Sequence, residues 1–170
     1  MRFVVSGGTG MIGRPLVASL AADGHEVKVL SRNPDKQRPA LPEGVSVEQW
    51  DAKNMGDWSR HVDGADAVIN FAGEGIAGDN FLPDRWSAEK KRRIRDSRLN
   101  AGKVVVEAIR AATDKPRALI QSSAVGYYGP RGDEMVTEDS AAGSDYLAKI
   151  CVEWEDVTAE VELMGVRRVI

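Results

Sequence analysis

The feature that most constrains this chain is Gly7-Gly8-Thr9-Gly10-Met11-Ile12-Gly13, a glycine turn set between an apolar run and a helical pattern. Upstream, Phe3-Val4-Val5 reads as a short buried strand that stops at the glycines. Downstream from Met11, the residues Ile12, Leu16, Ser19, Leu20 and Asp23 recur at helical spacing, with Gly24 as the expected C-terminal cap. Glu26-Val27-Lys28-Val29-Leu30 then reads as a second strand. Strand, turn, helix and strand within about thirty residues make one βαβ unit. In such a unit the first glycine allows a tight turn, the next lets backbone approach a pyrophosphate, and the last lets helix pack closely on strand. The helix N-terminus offers unpaired N–H groups and a positive dipole end to phosphates. Glycines also mark plain turns, but a strand before and a helix after are the context that favours a dinucleotide.

The alternation continues along the chain. A loop containing Pro34, Pro39 and Pro42 leads to a third strand at Val45-Ser46-Val47-Glu48, and Ala67-Val68-Ile69-Asn70 makes a fourth. A long helix is expected from Asp84 to Ala112, with Ile94, Ala101, Val104, Val105, Ala108 and Ile109 on its buried face. Ala118-Leu119-Ile120-Gln121 is a fifth strand, Ser144 to Met164 another helix, and Val166 to Ile170 the opening of a sixth strand. This is an α/β pattern, and it predicts a Rossmann doubly wound parallel sheet of strand order 3-2-1-4-5-6. Residues 1–170 are expected to form one NAD(P)-binding domain. The last residues stand inside an apolar strand run, which suggests that the natural protein continues.

Composition removes several function classes. Twenty-three basic against 26 acidic residues leave a net charge of −3, with no general pull toward nucleic acid or anionic membrane. The aromatics are sparse and not interleaved with the basic run Lys90-Lys91-Arg92-Arg93-Ile94-Arg95, which argues against a single-strand nucleic-acid groove. That run reads as a solvated helix face. Cys151 is the single cysteine, and His25 and His61 lack ligand company, so no metal site is expected. No apolar stretch is long enough to span a membrane. The default location is the cytoplasm.

The strand ends supply the candidate cofactor contacts. After the second strand stand Ser31, Arg32 and Asn33, with Lys36 beyond and no acid to accept from a ribose 2′-hydroxyl. Ser31 and Arg32 could hold a 2′-phosphate, so NADP is expected and NAD is less favoured. Asp51, after the third strand, is placed to bond an adenine amino group. Phe71, Ala72 and Gly73, after the fourth, fall at the carboxyl edge where ligands bind in open α/β sheets. The expected cofactor set is Gly7, Thr9, Gly10, Met11, Ile12, Gly13, Ser31, Arg32, Asp51, Phe71, Ala72, Gly73 and Ser122.

Several segments together resemble the epimerase family, the nucleoside-diphosphate-sugar epimerase-like group in the atypical or extended branch of the short-chain dehydrogenase/reductases. They are Ser6 to Gly13, Asn70-Phe71-Ala72-Gly73-Glu74, Arg85-Trp86-Ser87, Ile94 to Arg98, Ser122-Ser123-Ala124-Val125-Gly126-Tyr127-Tyr128-Gly129 and Cys151-Val152-Glu153-Trp154-Glu155. The resemblance implies a small-molecule substrate, a possible homodimer formed through two helices, a C-terminal substrate-binding part absent from these residues, and a loop with Glu74, Arg85 and Trp86 over the active site. It also implies Ser/Thr, Tyr and Lys catalysis, in which the tyrosine exchanges a proton with a hydroxyl or carbonyl and the lysine lowers its pKa.

Here the chain departs from the pattern. Lys149 stands three residues after Tyr146, where the family spaces the pair by four. Alignment on Trp154-Glu155 puts Leu147 in the tyrosine place and Cys151 in the lysine place. Ala124 takes the Ser/Thr place, with Ser123 one short. The candidate catalytic residues are therefore Ser123, Tyr128, Tyr146 and Lys149, beside Ser122 and Tyr127. The functions open to such a chain are an oxidoreductase or epimerase-like enzyme and a cofactor sensor that has lost its acid/base pair.

Overall fold

The computed structural model describes residues 1–38, 41–76 and 86–170. Its strands are β1 (Arg2–Ser6), β2 (Glu26–Ser31), β3 (Ser46–Gln49), β4 (Ala67–Asn70), β5 (Ala118–Gln121) and β6 (Arg167–Val169). All neighbours pair in parallel, in the order β3-β2-β1-β4-β5-β6. That is the Rossmann order the alternation predicts. Val5 on β1 stands opposite Val29 on one side and Ile69 on the other. The chain winds outward in both directions from β1 and β4, so a crevice opens at their carboxyl ends, where such sheets bind ligands.

Strand side chains alternate between two apolar layers, as the period of two requires. Val5, Val27, Val29, Val47 and Ile69 pack with Val17 of α1 (Gly13–Ala22) on one face. Val4, Leu30, Val68 and Leu119 meet Ala101, Val104, Val105, Ala108 and Ile109 of a long helix on the other. The expected buried face of that helix is the observed one, Ile94 included. Covering both faces explains why these strands are near-continuous apolar runs.

The element ends differ from expectation for local reasons. The first helix starts at Gly13 rather than Met11, with the glycine turn occupying the residues before it. The proline loop contains a short helix α2 (Pro34–Gln37), begun by Pro34, whose fixed φ suits a first helical position. Helix α3 (Ala88–Ala111) begins where the Ser87 hydroxyl caps the Lys90 amide at 3.2 Å. Asp84 and Arg85 lie outside the described residues. Helix α4 (Tyr146–Asp156) starts after Asp145, whose carboxylate accepts from the Leu147 and Ala148 amides. It does not run on to Met164. At Val157-Thr158 the Thr158 hydroxyl bonds the Glu155 carbonyl, and a 3-10 turn over Ala159–Met164 follows, closed by Gly165 at φ +78°. No helix among the described residues is long and apolar enough to cross a membrane.

Candidate cofactor site

A cleft of about 500 Å³ lies over the carboxyl ends of β1 to β4. Of the expected cofactor residues, Gly7, Thr9, Gly10, Ser31, Arg32, Asp51, Phe71, Ala72 and Gly73 line it, joined by Glu74, Arg93, Asp96, Ser97 and Asn100. Met11 and Ile12 are exposed beside the turn, at 89% and 66%.

The glycine turn is a cradle that side chains would fill. Gly7 sits at φ +68°, and a Cβ there would come within 2.7 Å of the Phe71 backbone. At Gly13 a Cβ would meet the Gly7 carbonyl at 2.3 Å, so this glycine lets α1 seat against the loop. The Gly10 amide closes the turn on the Gly7 carbonyl at 3.0 Å. The first turn of α1 has no side-chain cap, and among the described residues neither the Met11 nor the Ile12 amide donates to a backbone carbonyl. Uncapped amides at a helix start beside an open cleft suit a diphosphate.

The other strand ends are held more firmly than their sequence suggests. Ser31 is buried, and its hydroxyl accepts from the Asn33 amide at 3.2 Å. Arg32 is exposed, and among the described residues only its carbonyl is engaged, by Gln49 at 3.0 Å. The Asp51 carboxylate accepts from the amides of Lys53 and Asn54 and from the Asn54 side chain, at 2.7–2.8 Å. These bonds favour its charged form and hold its pKa at about 2. They also brace Ala52, the one described non-glycine residue with positive φ, at +61°.

Beneath the cleft a buried polar chain joins three strands, and sequence spacing gave no sign of it. The Ser6 hydroxyl donates to Asn70 Oδ1 at 2.6 Å, Asn70 Nδ2 to Gln121 Oε1 at 2.8 Å, and Gln121 Nε2 to the Ser122 carbonyl at 2.8 Å. Ser122 in turn donates its hydroxyl to the Asn70 carbonyl at 3.1 Å. The chain fixes the ends of β1, β4 and β5 relative to one another.

The candidate catalytic residues do not converge. The Tyr146 hydroxyl donates to the Lys91 carbonyl of α3 at 2.6 Å, and burial pushes its pKa up, away from what a general base needs. Lys149 is exposed, and no hydrogen bond joins it to Tyr146. Ser123 donates to the Glu155 carboxylate. Tyr128 packs edge-on against Tyr127 in a 3-10 turn over Val125–Tyr128. Cys151 is buried, and its thiol pKa is raised, chiefly by that burial. Two cations of the basic run meet carboxylates: Arg93 pairs with Glu74 and Glu89, and Arg95 with Glu153 and Asp96. Lys90 is only 3% exposed. Among the described residues no cluster of His, Cys, Asp or Glu could hold a metal.

A doubly wound sheet with a glycine cradle at its switch point defines a dinucleotide-binding fold of Rossmann type. Comparison with known proteins gives the family. The model of the NAD dependent epimerase/dehydratase family matches residues 3–167, and this chain belongs to that family. It is 37% identical over 161 residues to the chloroplastic epimerase family protein SDR39U1 homolog of Arabidopsis thaliana, covering 91% of this chain and 43% of that one. Epimerase family protein YfhF of Bacillus subtilis is 35% identical over 170 residues, covering 99% and 53%. The crystal structure of human SDR39U1 with NADPH superposes with a TM-score of 0.74 at 31% identity, covering 93% of this chain and 48% of that one. The chain thus spans about half the length of the curated relatives it matches.

One expectation is corrected. Five similar solved structures hold NAD, among them UDP-glucuronic acid 4-epimerase from Bacillus cereus (18% identity, TM-score 0.79, covering 100% of this chain and 55% of that one). The expected preference for NADP over NAD does not hold. It rested on the lack of an acid after β2 and on Arg32, an exposed side chain with no hydrogen bond or ion pair among the described residues. The cofactor class is a nicotinamide dinucleotide.

Proposed function

We propose that this chain is the dinucleotide-binding domain of an oxidoreductase or epimerase that acts on a hydroxyl or carbonyl carbon of a small or nucleotide-sugar substrate. The observation that carries this is the uncapped start of α1 beside the glycine cradle, open to the cleft at the β1–β4 switch point. In this reading the amides after Gly10 hold the diphosphate, and Ala72 and Gly73 let the cofactor lie against backbone. The nicotinamide supplies hydride transfer when bound. The Ser6–Asn70–Gln121 chain keeps the sheet edge rigid, and Ser122 and Ser123 stand at the end of β5, where a substrate oxygen would have to draw their hydroxyls from the Asn70 carbonyl and the Glu155 carboxylate. The family resemblance also carries the expectation of a homodimer, which sedimentation velocity decides, and the cytoplasm remains the default location.

Calorimetric titration of the chain with NAD tests the reading. Saturable binding that Gly13→Ala abolishes is expected, because the added Cβ collides with the Gly7 carbonyl. No binding by the unaltered chain overturns it.

A second reading, a sensor that binds the dinucleotide without turnover, draws on the bond from the Tyr146 hydroxyl to Lys91 and on the exposure of Lys149. A cofactor-bound crystal structure separates the two. A tyrosine hydroxyl within hydrogen-bond reach of both Lys149 and the nicotinamide ribose removes the motive for the sensor.

A further inference from the structure

Arg98 differs from its neighbours Arg93 and Arg95 on α3. Arg93 and Arg95 each meet carboxylates, whereas Arg98 forms no ion pair among the described residues. Its Nη1 group gives both donors to backbone carbonyls, Glu74 at 3.1 Å and Ile94 at 2.9 Å. The nearby Glu74 carboxylate is bonded to Arg93 at 3.1 Å. The other edge of the Arg98 guanidinium, Nε and Nη2, carries no hydrogen bond among the described residues. That edge is the one that meets a carboxylate or phosphate side-on with two parallel bonds.

The surroundings hold this edge in place. The guanidinium carbon lies 4.9 Å from the centroid of the Trp154 ring. A Cβ at position 73 would stand 3.3 Å from that carbon and 3.5 Å from Nε, so glycine there keeps the space beside the edge clear. Trp154 is 5% exposed, and its indole N–H has no acceptor, a second neighbouring donor left without a partner. A half-buried cation with idle donors is costly to maintain without an anion, and burial accordingly lowers the Arg98 pKa.

We propose that Arg98 anchors an oxyanion of the substrate, a carboxylate or a phosphate, where the β4 loop, α3 and α4 meet. This rests on the reading of the cleft as a cofactor site, since the cofactor's own diphosphate then has a different seat. The glycine cradle lies in the cleft over the ends of β1 to β4, whereas Arg98, on α3, is not among the residues that line that cleft. Its electrostatic neighbours are the Glu74 carboxylate and, on α4, Cys151 and Tyr146. The anion it takes therefore comes from the second ligand. A substrate bearing an acidic group beside Gly73 satisfies the guanidinium and is selected over its neutral counterpart.

The test follows the arginine Nε and tryptophan indole resonances of the ¹⁵N-labelled chain by NMR. NAD is added first, then inorganic phosphate or acetate in separate arms. Saturable shifts of Arg98 Nε and Trp154 Nε1 on adding phosphate or acetate to the NAD-loaded protein are expected, and the stronger arm names the anion. Arg98→Gln should weaken that binding by roughly tenfold or more, as loss of a charge-assisted bidentate contact implies. Arg98→Lys, which keeps the charge but not the fork, should fall between. Shifts of Arg98 caused by NAD alone, with none on later anion addition, overturn the proposal. So does a linear response no larger than that of the exposed Arg32. If NAD fails to shift the Gly10 and Ile12 amides, the cofactor reading falls, and the anion response of Arg98 remains a separate result.

Discussion

At the scale of single residues, the site is set by where side chains are missing and where carboxylates are already occupied. Gly7, Gly13 and Gly73 each stand where a methyl group would strike backbone or a cation. Asp51 shows the second kind of constraint. Its three accepted bonds need the ionised form, so its folded pKa of about 2 lies below the ordinary 3.8. A lowered carboxylate contributes stability that is complete above about 3.8 and is lost as pH falls through about 2. Urea unfolding of the native chain and of Asp51→Ala should therefore show a gap in stability near neutral pH that narrows as pH approaches 2. A gap independent of pH would mean that the turn at Ala52 does not depend on the Asp51 charge.

At the scale of elements, helix α3 organises the protein around one unexpected residue. Gly102 sits at mid-helix, where glycine costs about 1 kcal/mol relative to alanine. Propensity alone predicts that Gly102→Ala stabilises. The structure predicts the reverse, because the new Cβ would lie 2.5 Å from Val157 Cγ1, beside the break that ends α4. Overpacking of this kind costs roughly 1–3 kcal/mol. Thermal unfolding should show a lower midpoint for the variant, and a raised one would mean that Val157 simply swings aside. The case shows what spacing can and cannot convey. The buried face of α3 and all six strands were legible because period and apolar runs are local signals. The break at Val157-Thr158 was not, since it depends on the Thr158 hydroxyl finding the Glu155 carbonyl and on Gly102 lying close by. The glycine turn and the strand-end residues that line the cleft were likewise readable, whereas its α3 side, Arg93, Asp96, Ser97 and Asn100, was not. The tie of Tyr146 to Lys91, the pairing of Ser123 with Glu155 and the exposed edge of Arg98 were not. Each depends on a partner or neighbour supplied by a distant stretch of chain.

For the whole molecule, the order of the sheet predicts an uneven response to ligand. The glycine turn and the ends of β2, β3 and β4 border one cleft, whereas β6 is a three-residue strand paired only with β5. A ligand that bridges the first group stabilises the folded state by about 2.7 kcal/mol at a hundredfold excess over its Kd. The slowest amides, in β1 and β4, exchange only when the whole sheet opens, and they should gain the full amount. The fraying β6 should gain little, because it opens without disturbing the cleft. Hydrogen exchange with and without NAD reads this directly: slower exchange in residues 7–13 and at the ends of β2 to β4, with β6 nearly unchanged. Protection spread evenly through β6 would mean that the sheet opens only as one unit. The winding order would then have no bearing on which strands the dinucleotide holds.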